Sequence, residues 1–498
     1  MLKKLKRLFC WNKRSALNNI LSIGRHENSQ NIFSIIFTFA PNFYSQISMP
    51  IGAKDFTCGA IFKPLVRLAL PIMATSFMQM AYNLTDMAWI GRLGSESVAA
   101  IGAVGMLTWL VSSFSILSKV AAEVSIGQAI GARKYREAMA CASHTTTISL
   151  ITSLILTAVL FFGADFILSF FKLSPHIHEL AIIYLRIVSS ATPFSFLILN
   201  FAGVYNGVGR SSIPFYIVAA GLAGNMLLDP LFIFGIDGLF EGMGVKGAGI
   251  ATWISQGIAL LLFVYRLRRN DGILGRFPFF VRLRGNLTLR VLRLGFPVAM
   301  MTLFFASINT FLARIASVHG GHLGITTQTT GGQIEGITWN TSQGFSTALG
   351  AFVAQNFAAG KMSRAWMAYR YTLTLMLSLG VLVTVAFLFF GDHIFGIIIP
   401  EIEAMKAGGD YLFIMGFSQL IMMLEITSQG MFNGMGRTSP PAVVSIVFNS
   451  ARIPMAILFA SWMGITGVWW AISVSSIFKG VVLPLWLMRS RTKTGINT

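Results

Sequence analysis

Asn206-Gly207-Val208-Gly209-Arg210, followed by Ser212 and Pro214, returns 227 residues later as Asn433-Gly434-Met435-Gly436-Arg437, followed by Ser439 and Pro441. The same shift lays Gln128 on Gln355, Ala132 on Ala359, Lys134 on Lys361 and Ala138 on Ala365. Near the start of each half, Arg67-Leu68-Ala69-Leu70-Pro71 answers Arg293-Leu294-Gly295-Phe296-Pro297 at a shift of 226. So many identities in one register imply a duplication, and the chain reads as two copies of one unit.

Composition says what the unit is made of. The 498 residues are 54% hydrophobic and 11% charged, with a mean hydropathy of +0.69, whereas a soluble domain carries charge on about a quarter of its residues. Apolar stretches long enough to cross about 30 Å of hydrocarbon as helix recur at roughly 65–90, 98–124, 139–164, 180–204, 213–235, 247–266, 294–316, 322–352, 366–391, 410–432, 441–461 and 464–487. The expected fold is an all-α polytopic membrane protein of about twelve transmembrane helices. Six per copy is an even number, so both copies enter the membrane from the same side. Parallel repeats of this kind are related by an axis along the membrane normal, with the substrate site between them. The expected organisation is an N-terminal disordered extension (1–61), an N-terminal six-helix lobe (62–268), a cytoplasmic linker (269–288), a C-terminal six-helix lobe (289–490) and a cytoplasmic tail (491–498), with a central cavity between the lobes. Nothing upstream of Met49 has an assignable role, so that methionine is an alternative start.

A formal net charge of +20 would point to nucleic acid in a soluble protein. Here the basic residues gather in alternate loops: Arg133, Lys134 and Arg136; Arg210; the run from Arg266 to Arg290; Lys361 and Arg364; Arg437; and Arg489 to Lys493. The opposite loops hold little beyond Arg92, Lys172, Lys246 and Lys406. Under the positive-inside rule both termini are cytoplasmic in a cell inner membrane, and the charge is a topology signal. No nucleic-acid partner is expected; lipid and small-molecule substrates are, with no obligate protein partner and a monomeric state. Cys10, Cys58 and Cys141 have neither metal-ligand nor disulfide-framework spacing. The chain contains no G-x-x-x-x-G-K-[ST], H-E-x-x-H, G-x-S-x-G or C-x-x-C pattern, so an ATP-driven pump or an enzyme is disfavoured and no cofactor is expected. Any work has to come from an ion gradient, Na⁺ or H⁺.

Carboxylates inside a bilayer cost roughly 2.5–3.5 kcal/mol on insertion scales and are functional by default. Asp86 lies in the first span; Asn225 and Asp229 are four residues apart on the fifth and so face one way. Pro230 removes the hydrogen bond to the Met226 carbonyl and frees another oxygen. With Thr252 from the sixth span these are hard oxygen donors from three helices, a set suited to a small unhydrated cation. The plainer alternative has Asp229-Pro230 ending a helix and Asp86 solvated at the interface. In the second half Arg452 stands at the position of Asn225 and Ala456 at that of Asp229, so the copies have diverged. Arg452 needs Glu425 or Glu335 as a counter-charge, which makes a structural ion pair. Glu335, Trp339, Glu425 and Arg452 are also candidates for lining the substrate path. Lys119 and Glu123, four apart, read as an intrahelical pair snorkelling to the headgroups.

Pro71 to Ala100 (PIMATSFMQMAYNLTDMAWIGRLGSESVAA), GQAIGARKYREA from Gly127, NGVGRSS from Asn206, NMLLDPLFIFG from Asn225 and GAGIATWIS from Gly247 together resemble the multidrug and toxic compound extrusion (MATE) family over roughly residues 62–490. The resemblance implies an antiporter of cationic amphipathic compounds, driven by Na⁺ or H⁺ and alternating between inward-open and outward-open states. It places Asp86, Asn225, Asp229 and Thr252 on the family's Na⁺ positions in the first lobe, with a backbone carbonyl from Ala248. It looks most like the DinF-like branch, since no glutamate stands between Pro297 and Asn309. A flippase of lipid-linked precursors is the alternative, and would need a strongly cationic cavity.

Overall fold

The computed structural model describes residues 53–236, 240–269 and 277–493. The first lobe comprises α1 (Phe62–Gly91), α2 (Ser95–Gly131), α3 (Tyr135–Phe162), the short α4 (Ala164–Ser169), α5 (Pro175–Ser190), α6 (Thr192–Gly207), α7 (Ser212–Phe234), a two-stranded antiparallel turn of β1 (Gly235–Ile236) and β2 (Phe240–Glu241), and α8 (Gly244–Arg269). The second comprises α9 (Gly285–Ala358), α10 (Met362–Gly396), α11 (Ile402–Gly434), α12 (Ser439–Met463) and α13 (Ile465–Lys493). Among the described residues ten helices are long and apolar enough to span, and the pair α5–α6, bent by 41°, makes an eleventh. The 74-residue α9 breaks at Gly321, where φ is 57°, and so counts as two, which brings the spans to twelve. A left-handed φ favours glycine, so the break falls where the sequence supplies Gly320-Gly321. The break between α5 and α6 falls at Ala191, two residues before Pro193, which has no N–H to bond back into α5 and whose ring would clash with the Ser189 carbonyl of a continuous helix, so that the proline sits in the first turn of a new one.

The repeat can be seen in the contacts. Gln128 on α2 donates through Nε2 to the Gly434 carbonyl of the second lobe at 3.2 Å, and Gln355 on α9 donates to the Gly207 carbonyl of the first at 3.4 Å. Both glutamines and both glycines are partners at the 227-residue shift. Gly209 and Gly436 both turn the chain with positive φ, 84° and 75°, ending α6 and α11 in the same way. Small residues let the lobes close on each other: a Cβ on Gly131 would stand 2.0 Å from the Gln355 carbonyl oxygen. The end of the bundle that carries most of the arginines is thereby sealed.

That end differs from expectation in two respects. Residues 53–61, assigned to a disordered extension, are ordered and cross the seam between the lobes. The Lys54 N–H donates to the Val208 carbonyl (3.0 Å) and the Phe56 N–H to Gln355 Oε1 (3.0 Å). Asn356 and Arg364 donate to the Phe56 carbonyl at 3.1 Å each, and Lys361 Nζ to that of Thr57 at 2.9 Å. The Phe56 ring is 3% exposed and stacks on Phe352. The remainder of the expected extension, residues 1–52 with Cys10 and Met49, lies outside the described residues, as does Arg276. The linker is also shorter than expected: Phe277 is fully buried against the first lobe, Val281 N–H donates to Thr147 Oγ1 (3.2 Å), and α9 begins at Gly285.

Candidate functional site

The apolar faces of α1, α5, α7 and α8 pack together and enclose a small polar island. Asp229 is fully buried, Asn225 is 3% exposed and Thr252 is 9% exposed, while Asp86 is half-buried opposite them on α1. The Asp86 and Asp229 carboxyl groups are close neighbours. Asn225 Nδ2 donates to Thr252 Oγ1 at 3.5 Å, and the Thr252 hydroxyl donates to the Ala248 carbonyl at 3.0 Å. Asn225 Oδ1 and both Asp229 carboxylate oxygens are buried without a hydrogen-bond partner among the described residues. Three orphaned acceptors in an apolar surrounding call for a cation or proton, since each unpaired buried group costs about 1–3 kcal/mol. The residues named from the sequence are therefore brought together, with Ala248 bound chiefly as the backbone acceptor for Thr252. Two more were missed: Tyr82, which lies beside Thr252, and Tyr184, which lies beside both carboxylates. A tyrosine in a membrane helix resembles any interfacial aromatic, so nothing in the local sequence marked them.

A cavity of about 630 Å³ adjoins this island between the lobes. Tyr82, Asn225 and Thr252 form part of its wall, and the second half of α9 closes the other side through Gln333, Trp339 and Asn340. The carboxylates lie one layer behind that wall. Of the four residues proposed for the substrate path, Trp339 is on the wall, but Glu335, Glu425 and Arg452 are not.

Those three belong to a separate buried cluster in the second lobe. Lys479 Nζ pairs with Glu425 Oε2 at 3.4 Å, while Arg452 donates from Nε to Ser475 Oγ (2.7 Å) and from its terminal nitrogen to Ser476 Oγ (2.8 Å). Both glutamates neighbour Arg452, and Tyr411 lies against Glu335. The direct ion pair of Glu425 is therefore with Lys479 and not with Arg452 as expected; among the described residues the Arg452 guanidinium bonds the two serines and only neighbours the glutamates. Lys119 and Glu123 also differ from their reading. Glu123 is buried at the seam, hydrogen-bonded by Asn206, and Lys119 reaches the cavity wall instead of the headgroups.

Two six-span lobes with polar islands flanking a cavity between them define a membrane transporter rather than an enzyme. The MatE family model matches residues 71–231 and 297–458, one match in each lobe, and the chain belongs to that family. It is 24% identical over 440 residues to the probable multidrug resistance protein NorM of Thermotoga maritima, covering 86% of this chain and 93% of that one. It is likewise 24% identical over 448 residues to a protein of Shewanella oneidensis named FAD transporter, covering 87% and 94%. A crystal structure of MATE in complex with MaL6 superposes with a TM-score of 0.81 at 23% identity, covering 89% of this chain and 99% of that one; this likeness concerns the fold.

Proposed function

We propose that this protein is a secondary antiporter that exports small amphipathic molecules across the inner membrane in exchange for Na⁺ or H⁺. One observation carries the reading. Two facing carboxyl groups, Asp86 and Asp229, and the unpartnered Asn225 Oδ1 form an oxygen-lined island one side-chain layer behind the wall of the interlobe cavity. Like charges held together in an apolar site cannot both stay ionised without a proton or cation. Loading and unloading that charge alters the α1–α7–α8 packing that forms the cavity wall, which links the ion to the cargo. Relatives named as multidrug resistance proteins support the cargo class, and the positive-inside rule puts the arginine-rich, sealed end in the cytoplasm. The chain functions as a monomer, and the missing carboxylate between Pro297 and Asn309 favours the DinF-like branch.

Na⁺ is the preferred ion because two carboxylates with two neutral oxygen donors can replace a hydration shell. The test is calorimetric Na⁺ binding as pH is lowered, in the parent, Asn225→Ala and Asp229→Asn. Competition between Na⁺ and H⁺ at Asp229 is expected. Absence of Na⁺ heat at every pH, with export driven by a pH gradient alone, would make this a proton site.

A second reading of the cargo rests on the wall itself. Among the described residues its one charged side chain is Lys119, among amides from Gln79, Asn83, Gln256, Gln333 and Asn340. A cationic cargo would be attracted only by the carboxylates behind the wall, whereas an anionic or neutral planar molecule would meet the lysine and Trp339 directly, and one relative is named an FAD transporter. One lysine is too little for the pyrophosphate of a lipid-linked precursor, which disfavours the flippase alternative. Comparing efflux of anionic and cationic dyes by the parent and Lys119→Met distinguishes the two cargo classes.

A further inference from the structure

The 227-residue shift carries five residues of the first-lobe island onto the second lobe, four of them into its buried cluster, while Glu335 and Glu425 fall back on Thr108 and Ile198 outside the island. Tyr184 falls on Tyr411, Asn225 on Arg452, Asp229 on Ala456, Ala248 on Ser475 and Thr252 on Lys479. Asp86 has no acidic counterpart, since Leu312 and Ala313 stand at the matching place. The two clusters are therefore pseudosymmetric versions of one site, built at the same helix crossings of each copy.

Their charge balance differs. The side chains gathered round Asp86 and Asp229 are Tyr82, Tyr184, Asn225 and Thr252, none of them basic. Among the described residues that island lacks the positive charge needed to neutralise two carboxylates. The second cluster sets Glu335 and Glu425 against Arg452 and Lys479 and is balanced from within. Its cations stand where the first lobe has neutral ligands, Arg452 for Asn225 and Lys479 for Thr252. Where a carboxylate would disturb the balance, at the place of Asp229, the chain has Ala456. All are well buried: Arg452 is 4% exposed, Glu425 and Lys479 7% each, and Ala456 fully enclosed. A guanidinium with two serine acceptors and an ammonium with a carboxylate partner satisfy in place the donors and charges that burial would otherwise penalise.

We propose that the second lobe holds a tethered substitute for the coupling cation, so that Arg452 and Lys479 fill with covalently fixed charge the place the first lobe leaves for an ion from solution. This rests on the reading of the first-lobe island as the exchangeable site. A charge bonded to the backbone cannot be released to either side of the membrane, so the second lobe draws no energy from the gradient. Each chain then exchanges cations at the first lobe alone.

The test is the stoichiometry of ²²Na⁺ bound by the purified full-length protein at equilibrium. Asp229→Asn is expected to abolish binding, because the intact second lobe takes up none. Arg452→Asn with Lys479→Thr, which restores the first-lobe residues and leaves Glu335 and Glu425 without their counter-charges, is expected to double the parent's stoichiometry. Added to Asp229→Asn, the same pair is expected to restore binding to the parent's level. Residual binding in Asp229→Asn that Glu335→Gln or Glu425→Gln removes would overturn the proposal, as would no gain in a monodisperse, helical Arg452→Asn/Lys479→Thr protein. If the double variant does not fold, the Asp229→Asn arm decides on its own. A parent that binds no Na⁺ counts against the first-lobe reading, and the gain from the double variant then decides the tethered-charge proposal separately.

Discussion

Asp86 and Asp229 come from helices more than a hundred residues apart in the chain, yet their carboxyl groups meet. In the proposed coupling that pair changes charge, so Asp86→Asn, which keeps shape and loses ionisation, is expected to abolish gradient-driven efflux; normal yield and helicity with wild-type dye efflux would refute the assignment. Asn225→Ala removes one neutral oxygen and should weaken Na⁺ binding by about 1–1.5 kcal/mol, or about tenfold, read by titration. In the second lobe, Lys479→Met leaves Glu425 buried without its partner and should destabilise the fold by about 3–5 kcal/mol. Adding Glu425→Gln should recover much of that loss, and additive effects in thermal unfolding would show that the two are not coupled. At this scale the sequence revealed acids and amides with helical spacing, because a carboxylate in an apolar run stands out. It did not reveal Lys479 as a partner, because a lysine near the basic end of a last span reads as a snorkelling residue until Thr252 is laid on it by the repeat.

The helices followed directly from hydropathy, since twenty apolar residues have few alternatives in a bilayer. The structure adds breaks and caps where backbone geometry decides: Gly321 splits α9, and the residue before Thr192-Pro193 bends α5 into α6. The strap of residues 53–61 was not legible, because its hydrogen bonds go to Val208, Gln355, Asn356 and Lys361, partners about 150 to 300 residues away. It bridges both lobes at the sealed end, so it opposes their separation. Phe56→Ala, which empties the stack on Phe352, is expected to speed maleimide labelling of a cysteine at Ala354, a buried residue facing Gly127, in a chain otherwise free of cysteine. A core Phe→Ala change costs about 3–5 kcal/mol, so even partial loss at the seam should raise the rate tenfold or more; an unchanged rate would mean the strap does not hold the lobes shut.

For the whole molecule, duplication provides two equivalent frames and divergence gives them different electrostatics: an island short of positive charge in the first lobe and a self-neutral one in the second. In the proposed topology the arginine bias orients both towards the cytoplasm. Arg276→Cys should react with an impermeant maleimide only after the cells are opened, and labelling of intact cells would invert the topology. The central claim, that an ion gradient moves cargo through the interlobe cavity, is tested most directly in proteoliposomes holding a fluorescent amphiphile. An imposed Na⁺ gradient, then an imposed pH gradient, should each drive dye against its own concentration difference in the parent, with neither doing so in Asp86→Asn. Dye movement that follows only its own gradient, equal in the parent and in Asp86→Asn, would contradict the account.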